Sequence, residues 1–288
     1  MLSGEYVVLR GAKALALPTK KGQWLEIFPN DKTFHRWRAF DNQENLWLDV
    51  GFSLNLQKIV YTNDYDKAKL LRKILLEIYV CNPELFKIPL DFKTFLEFHP
   101  EWGLGSSSTL INNLANWSKV DAFDLLKKTF GGSGYDVAVA KEKKALIYQL
   151  KANKPIWKTI SFDKYFFESI YFVYLNQKQN SRQAIKYLGK KQISFEMIKN
   201  FNDITERLAA TSNINEFREL LEFHENILSE ILDFPTIKEQ FFSDYPGTIK
   251  SLGAWGGDFI LAVGNTKTPE YFKEKGYHQI FKYSDFIL

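Results

Sequence analysis

Hydrophobic positions recur at steps of three and four over residues 64–79, where Ala68, Leu71, Ile74, Leu75 and Ile78 are separated by lysine, arginine and other polar residues. That period puts the apolar side chains on one face and predicts an amphipathic helix. Residues 194–210 and 215–232 repeat the pattern, and the polar turn Thr211-Ser212-Asn213 between them predicts a helical hairpin in the second half. Runs rich in β-branched and aromatic residues, bounded by glycine, proline or polar turns, predict strands at 5–9, 23–28, 145–150, 169–175 and 258–263. Strands and helices mix without a regular βαβ repeat, which favours an α+β fold over a doubly wound parallel sheet. A boundary is expected in 151–163, where Lys, Asn and Pro155 interrupt two strand-rich regions.

The 288-residue chain is 45% hydrophobic and carries 25 Phe, 14 Tyr and 7 Trp, a composition for packed cores and against wholesale disorder. The net charge of +4 does not call for a nucleic-acid partner, which is usually met by a concentrated basic face. The single cysteine, Cys81, excludes an internal disulfide and is expected to be a packing residue after the first helix. Four scattered histidines lack metal-ligand spacing. No signal peptide and no apolar run of about 20 residues is visible, so the expectation is a soluble cytoplasmic protein without a membrane partner.

Candidate chemistry concentrates in four glycine-bearing segments. In Gly103-Leu104-Gly105-Ser106-Ser107-Ser108-Thr109 two glycines allow close backbone approach, and the serines open a helix expected over 110–117. Free N–H groups at such a helix start, with the helix dipole, favour phosphate; the same string also suits a turn with a serine N-cap. Gly131-Gly132-Ser133-Gly134-Tyr135-Asp136 ends in a carboxylate able to orient or deprotonate a hydroxyl, or to cap a helix. Gly253-Ala254-Trp255-Gly256-Gly257-Asp258 leads into an apolar strand, either facing a ligand or making a tight strand entry. Gly4-Glu5-Tyr6-Val7-Val8-Leu9 reads as a strand, and Glu5, if buried, needs a partner. There is no Gly-x-x-x-x-Gly-Lys-[Ser/Thr] loop and no Gly-x-Gly-x-x-Gly after a strand, and His35-Arg36 is followed by Trp37 rather than the Asp of a protein kinase.

In this order the segments resemble the motifs of the GHMP kinase superfamily. Gly4 to Gly11 looks like its first motif, 103–108 like its phosphate loop and 253–258 like its third motif. The string Gly134-Tyr135-Asp136-Val137-Ala138 is similar to phosphomevalonate and mevalonate kinases and to a bacterial group marked by it. The resemblance implies a two-domain fold, with an N-terminal domain of the ribosomal-protein-S5 type (1–155) and a C-terminal ferredoxin-like domain (156–288). It also implies ATP and Mg2+ as cofactors and a small-molecule acceptor, phosphomevalonate or mevalonate.

Carried over, Gly103, Leu104, Gly105, Ser106, Ser107 and Ser108 would hold the ATP phosphates, Ser107 would reach magnesium, and Asp136 would be the catalytic aspartate. Gly253, Ala254, Gly256 and Gly257 would shape the floor beneath the phosphates. Glu5, Tyr6, Ser133 and Gly134 would lie on the acceptor side, with Arg182, from the basic cluster Lys178, Arg182, Lys186, Lys190 and Lys191, as a clamp or an exposed helix residue. A homodimer is a further expectation.

The sequence departs from the family in three places. The family's Gly-Lys strand ahead of the first motif is missing, since only three residues precede Gly4; a mis-called or truncated start is the favoured reading. Trp102 and Trp255 are bulky beside the glycine loops. The family's magnesium-binding glutamate has no clean counterpart, Asp121 and Asp124 being nearby helix-start acids. The alternatives are a catalytically silent nucleotide- or metabolite-binding protein on the same fold, and a kinase of a sugar or amino-acid hydroxyl.

Overall fold

Each long amphipathic segment is a helix that begins at a side-chain cap. In the computed structural model, which describes residues 1–176, 193–253 and 258–288, Asp64 accepts from the Lys67 amide at the start of α1 (Tyr65–Cys81). Ser194 accepts from Met197 at the start of the helix Phe195–Ala210, and Asn213 accepts from Asn215 and Glu216 at the start of Ile214–Leu232. These caps satisfy amides that have no partner in the first turn. The chain divides into two compact units, one of Lys21–Pro100 with Leu104–Lys141, the other of Met1–Lys20, Glu101–Gly103 and Glu142–Leu288.

The first of these units holds a five-stranded sheet of β2 (Gln23–Pro29), β3 (Phe34–Phe40), β4 (Leu46–Ser53), β5 (Ile59–Thr62) and β6 (Leu90–Leu96), in the order β2-β6-β3-β4-β5. Only β3 and β6 run parallel. In β3, alternation buries His35, Trp37 and Ala39 and turns Arg36 and Arg38 outward, onto Asp49 and Asp91. The buried face meets α1, α2 (Ser106–Ser118) and α3 (Ala122–Thr129) in a core that includes Trp37, Phe92, Ile74, Ile111 and Leu125. Asp121 is the N-cap of α3 and accepts from the Asp124 amide. α4 (Tyr135–Glu142) follows.

In the other unit β1 (Ala14–Ala16), β7 (Leu146–Lys151) and β8 (Lys154–Thr159) form a three-stranded sheet. The stretch 151–163, expected to hold a boundary, thus carries the second arm of a hairpin, with Lys151 opposite Lys154. A four-stranded antiparallel sheet has the order β10-β11-β9-β12, from β9 (Ile170–Tyr174), β10 (Thr248–Leu252), β11 (Phe259–Val263) and β12 (Ile280–Lys282). β11 is buried along its whole length. One face packs on Phe242 and Phe272, from α7 (Ile237–Phe241) with its following residue and from α8 (Thr268–Glu274). On the other face Phe172 meets Phe286 of the short terminal helix α9 (Tyr283–Phe286), and α6 (Ile214–Leu232) lies against β10. Residues 211–213 join α6 to α5 (Phe195–Ala210), giving the expected hairpin, locked by Arg207 and Thr211 on Glu216.

Two expectations are corrected. Residues 5–9 form a tight turn and a 3-10 helix, Val7–Arg10, because Gly4 (φ +87°) and Tyr6 (φ +62°) leave extended geometry; a short apolar run does not by itself separate strand from turn of helix. Cys81, at the end of α1, is exposed rather than packed. The α+β class is the one observed. Among the described residues no helix is long and apolar enough to cross a membrane.

Ile74 lies fully buried between α1 and the sheet. Ile74→Ala is expected to lower unfolding free energy by about 2–5 kcal/mol through the lost methylenes and the cavity left behind. Urea denaturation checks this, and a loss below about 1 kcal/mol would mean the site is not close-packed.

Candidate active site

In the unit containing the five-stranded sheet, the phosphate-loop string opens α2. Gly105 is its N-cap residue at φ 78°, ψ 33°, a left-handed conformation costly for other residues, and it provides no side-chain cap. The helix therefore begins earlier than residue 110, at Ser106, with its first-turn amides uncapped by any side chain. An uncapped N-terminus of a 13-residue helix presents N–H donors and positive dipole potential together. Ser107 is exposed, Ser106 and Leu104 are half-buried and Ser108 is buried. The helix is held to β2 by Thr109 Oγ1 donating to Gln23 Oε1 (3.0 Å) and Asn113 Nδ2 donating to the Gln23 carbonyl (2.8 Å).

The Gly-rich turn at 131–134 supplies the carboxylate. Gly134, at φ +83°, packs so closely under Phe123 that a Cβ would lie 3.0 Å from its ring. It delivers Tyr135 and Asp136 as the first residues of α4. A Cβ placed on Gly105 would lie 3.8 Å from both Cβ and Cγ of Asp136. Two segments about thirty residues apart in sequence are thereby adjacent: a loop suited to phosphate and a carboxylate suited to a hydroxyl. Burial pushes the Asp136 carboxyl above the ordinary carboxylate range. Ser133 is half-buried and Gly134 buried beside it.

The other unit holds the remaining segments. A Cβ on Gly103 (φ +63°) would overlap the Asp258 carboxylate, so the residue that ends the third motif touches the first glycine of the second. Gly253, at φ +77°, has open space where a side chain would be. Ala254, Trp255, Gly256 and Gly257, and Lys178, Arg182, Lys186, Lys190 and Lys191, lie outside the described residues. Trp102 is buried among Tyr174, Phe259 and Phe281.

Glu5 and Tyr6, expected on the acceptor side, are both buried. Glu5 belongs to a charged cluster whose other members the motif analysis missed. Lys250 Nζ, fully buried on β10, donates to Glu5 Oε1 (2.9 Å), Glu225 Oε1 (3.3 Å) and the Ser251 carbonyl (2.8 Å). Glu225 Oε2 accepts from the Ser251 amide (3.0 Å), and His224 Nε2 accepts from the Gly4 amide (3.0 Å). The signal was a lysine within the short string Thr248-Ile249-Lys250-Ser251-Leu252, just ahead of the third glycine motif.

Burial opposes the Lys250 charge, yet Glu5 and Glu225 hold its pKa above the ordinary lysine value. Burial, with Lys250 beside it, keeps His224 well below its usual value and hence neutral. Burial pushes Glu225 up to about 7 against the pull of Lys250.

No protein-family model and no curated protein matches the sequence. Solved structures do. Mevalonate kinase from Methanococcus jannaschii is 18% identical with a TM-score of 0.69, over 97% of this chain and 93% of that one. Streptococcus pneumoniae phosphomevalonate kinase, in complex with phosphomevalonate and AMPPNP, is 15% identical with a TM-score of 0.69, over 95% and 92%. A D-glycero-D-manno-heptose 1-phosphate kinase from Bacteriodes thetaiotaomicron is 14% identical with a TM-score of 0.63, over 99% and 92%. The chain therefore has the GHMP kinase fold that its motifs resemble.

The Glu225 shift has a measurable consequence. Its folded-state pKa of about 7 exceeds the ordinary 4.5, so the folded protein binds this proton more tightly than the unfolded one. Its contribution to stability is full below pH 4.5 and is lost as pH rises through 7. His224 acts in the opposite sense, so the prediction concerns a difference. The unfolding free energy of Glu225→Gln relative to wild type is expected to rise from pH 5 to pH 7.5, and a difference independent of pH would refute the assignment.

Proposed function

We propose that this chain is an ATP- and magnesium-dependent small-molecule kinase of the GHMP type, transferring a γ-phosphoryl group to phosphomevalonate or mevalonate. The observation that carries the reading is the uncapped start of α2 at Gly105 with the Asp136 carboxyl against it. A soluble cytoplasmic enzyme, divided at about residue 155 into an N-terminal kinase domain and a ferredoxin-like C-terminal domain, belongs to the same proposal.

The residues present fit the cofactors. A left-handed glycine, an uncapped helix start and three successive serines form a donor-rich concavity for anionic oxygens. Among the described residues no group of three or more His, Cys, Asp or Glu could hold a metal ion. Mg2+ keeps several waters and uses few protein ligands beside phosphates. The exposed Ser107 hydroxyl is the ligand proposed for it. When bound, ATP and Mg2+ supply the phosphoryl group and neutralise its charge.

The protein's own part is positioning and proton handling. Amides of Ser106, Ser107 and Ser108 orient phosphate oxygens. With mevalonate, whose accepting group is a hydroxyl, Asp136, made more basic by burial, accepts a hydrogen bond from it and takes its proton as the oxygen attacks; the attacking phosphate oxygen of phosphomevalonate is already ionised and needs no base. Glu5 has its carboxylate engaged by Lys250, and acceptor contact beside Asp136 is assigned to Ser133 and Gly134.

The test is magnesium-dependent ADP release with mevalonate, phosphomevalonate, a heptose phosphate and a panel of hydroxy amino acids. Asp136→Asn is expected to lower kcat by about 10²–10⁴-fold while ATP binding, read by calorimetry, is retained. Unchanged turnover would remove Asp136 from the reaction. Ser107→Ala is expected to shift the magnesium titration to higher concentration, and an unshifted curve would remove it as a ligand. ATP binding without transfer to any acceptor would favour the silent binding protein.

A further inference from the structure

Arg218 of α6 is a half-buried cation without a counterion. Its Nε donates to Thr248 Oγ1 (3.1 Å), and the Thr248 hydroxyl donates in turn to Glu222 Oε1 (2.7 Å). Glu222 stands one turn further along α6, where an arginine commonly finds its carboxylate, but here the fully buried Thr248 is interposed in the hydrogen-bond chain. Nε is thereby fixed, while Nη1 and Nη2 make no hydrogen bond or ion pair among the described residues. The guanidinium lines a cleft of about 530 Å³, a size typical of small-molecule sites. Tyr245 and Tyr271, with ring centroids 4.9 Å apart, are among its walls. Both are anchored: Tyr245 Oη lies 2.8 Å from Thr268 Oγ1, and Tyr271 donates to Asp244 Oδ1 (2.7 Å). Gly247 and Gly264 make room for this arrangement, because a Cβ on either would overlap Tyr245. Thr248 and Val263 are the first pair of the β10–β11 ladder, and the third glycine motif follows Leu252 at its other end. Those ends are four residues, or about 13 Å, apart, so the cleft is separate from that motif.

We propose that this cleft is a binding site for an organic monocarboxylate with an aromatic or apolar body. The uncommitted Nη groups of Arg218 form a planar fork that matches the two oxygens of a carboxylate. The tyrosine rings, with Ile214 and Val263, offer apolar surface to the rest of the ligand. The remaining charges narrow the class. Glu270 and Glu274, exposed and one turn apart on α8, balance Arg218 and the exposed Lys267, so the lining carries no net charge. A phosphate dianion would gain the same fork and meet two carboxylates, whereas a single negative charge placed on Arg218 meets half that repulsion. A cation would find only the exposed acids, where water and salt screen the attraction. Arg218 is then a ligand-binding residue, and Thr248 and Glu222 hold it in place.

Calorimetry with indole-3-propionate, an aromatic monocarboxylate, tests this on the full chain. One molecule is expected to bind per chain at millimolar concentration or below. Arg218→Met is expected to weaken binding at least tenfold, through loss of a charge-assisted fork. Tyr271→Ala is expected to weaken it at least threefold, and Glu270→Gln/Glu274→Gln to tighten it about twofold or more. Tryptamine, which carries an ammonium on a similar ring, and 1-naphthyl phosphate are each expected to bind at least fivefold more weakly than indole-3-propionate. Should Arg218→Met fail to fold, as judged by circular dichroism, Arg218→Gln is read in the same way. Absence of indole-3-propionate binding to wild type overturns the proposal. So does binding to a folded Arg218 variant within twofold of wild type, which would put the probe elsewhere on the protein. Tryptamine or 1-naphthyl phosphate binding as tightly as the carboxylate overturns the assigned ligand class. None of these measurements uses ATP or turnover, so a failure of phosphoryl transfer would remove the kinase reading and leave this result unaffected.

Discussion

A single buried ammonium organises one unit of this protein. Lys250 is fully buried, and its three hydrogen bonds run to the N-terminal turn, to α6 and to its own strand. Ion pairs taken out of water rarely add net stability over well-packed apolar groups, whereas an ammonium or carboxylate left without its partner there is strongly destabilising. The cluster therefore acts as a constraint on geometry more than as a source of stability. It allows one arrangement of Gly4 to Tyr6 relative to Ser251 and penalises the others. Glycine at position 4 is part of that constraint, because a side chain there would run into Ala14.

The candidate chemistry in the other unit depends on a different economy of groups. Gly105 leaves the start of α2 without a side-chain cap, so donors that would otherwise be satisfied remain available. Thr109 and Asn113 tie the first turns to β2, which keeps the donors fixed without using them. Asp136 is delivered beside this helix start by a turn whose glycine packs directly on Phe123. Each element contributes little alone. Adjacency converts a common helix start and a common helix-opening aspartate into a pair suited to phosphoryl transfer.

Much of this was legible in the residues. The helices α1, α5 and α6 follow from period and caps, because local hydrogen bonding and one apolar face suffice to define them. β2, β7, β9 and β11 follow from apolar runs bounded by turn residues. The ordered glycine motifs pointed to the fold that the solved structures of mevalonate and phosphomevalonate kinases share with this chain. Illegible were the turn at Tyr6, where an apolar run hides two positive-φ residues, and β8, where Lys and Pro155 read as a break although the residues pair in register with β7.

What the sequence determined by itself is local: helix period, caps, the glycines that permit left-handed backbone, and the types of residue available for chemistry. Tertiary structure alone decided that Glu5 faces Lys250, that Asp258 touches Gly103, and that Asp136 lies against Gly105. The physical reason is separation along the chain. Glu5 and Lys250 are 245 residues apart, and no propensity or spacing encodes which buried charge will meet which partner. That pairing is settled only when the strands and helices close around the ions and leave each one a single place where its hydrogen bonds can be met.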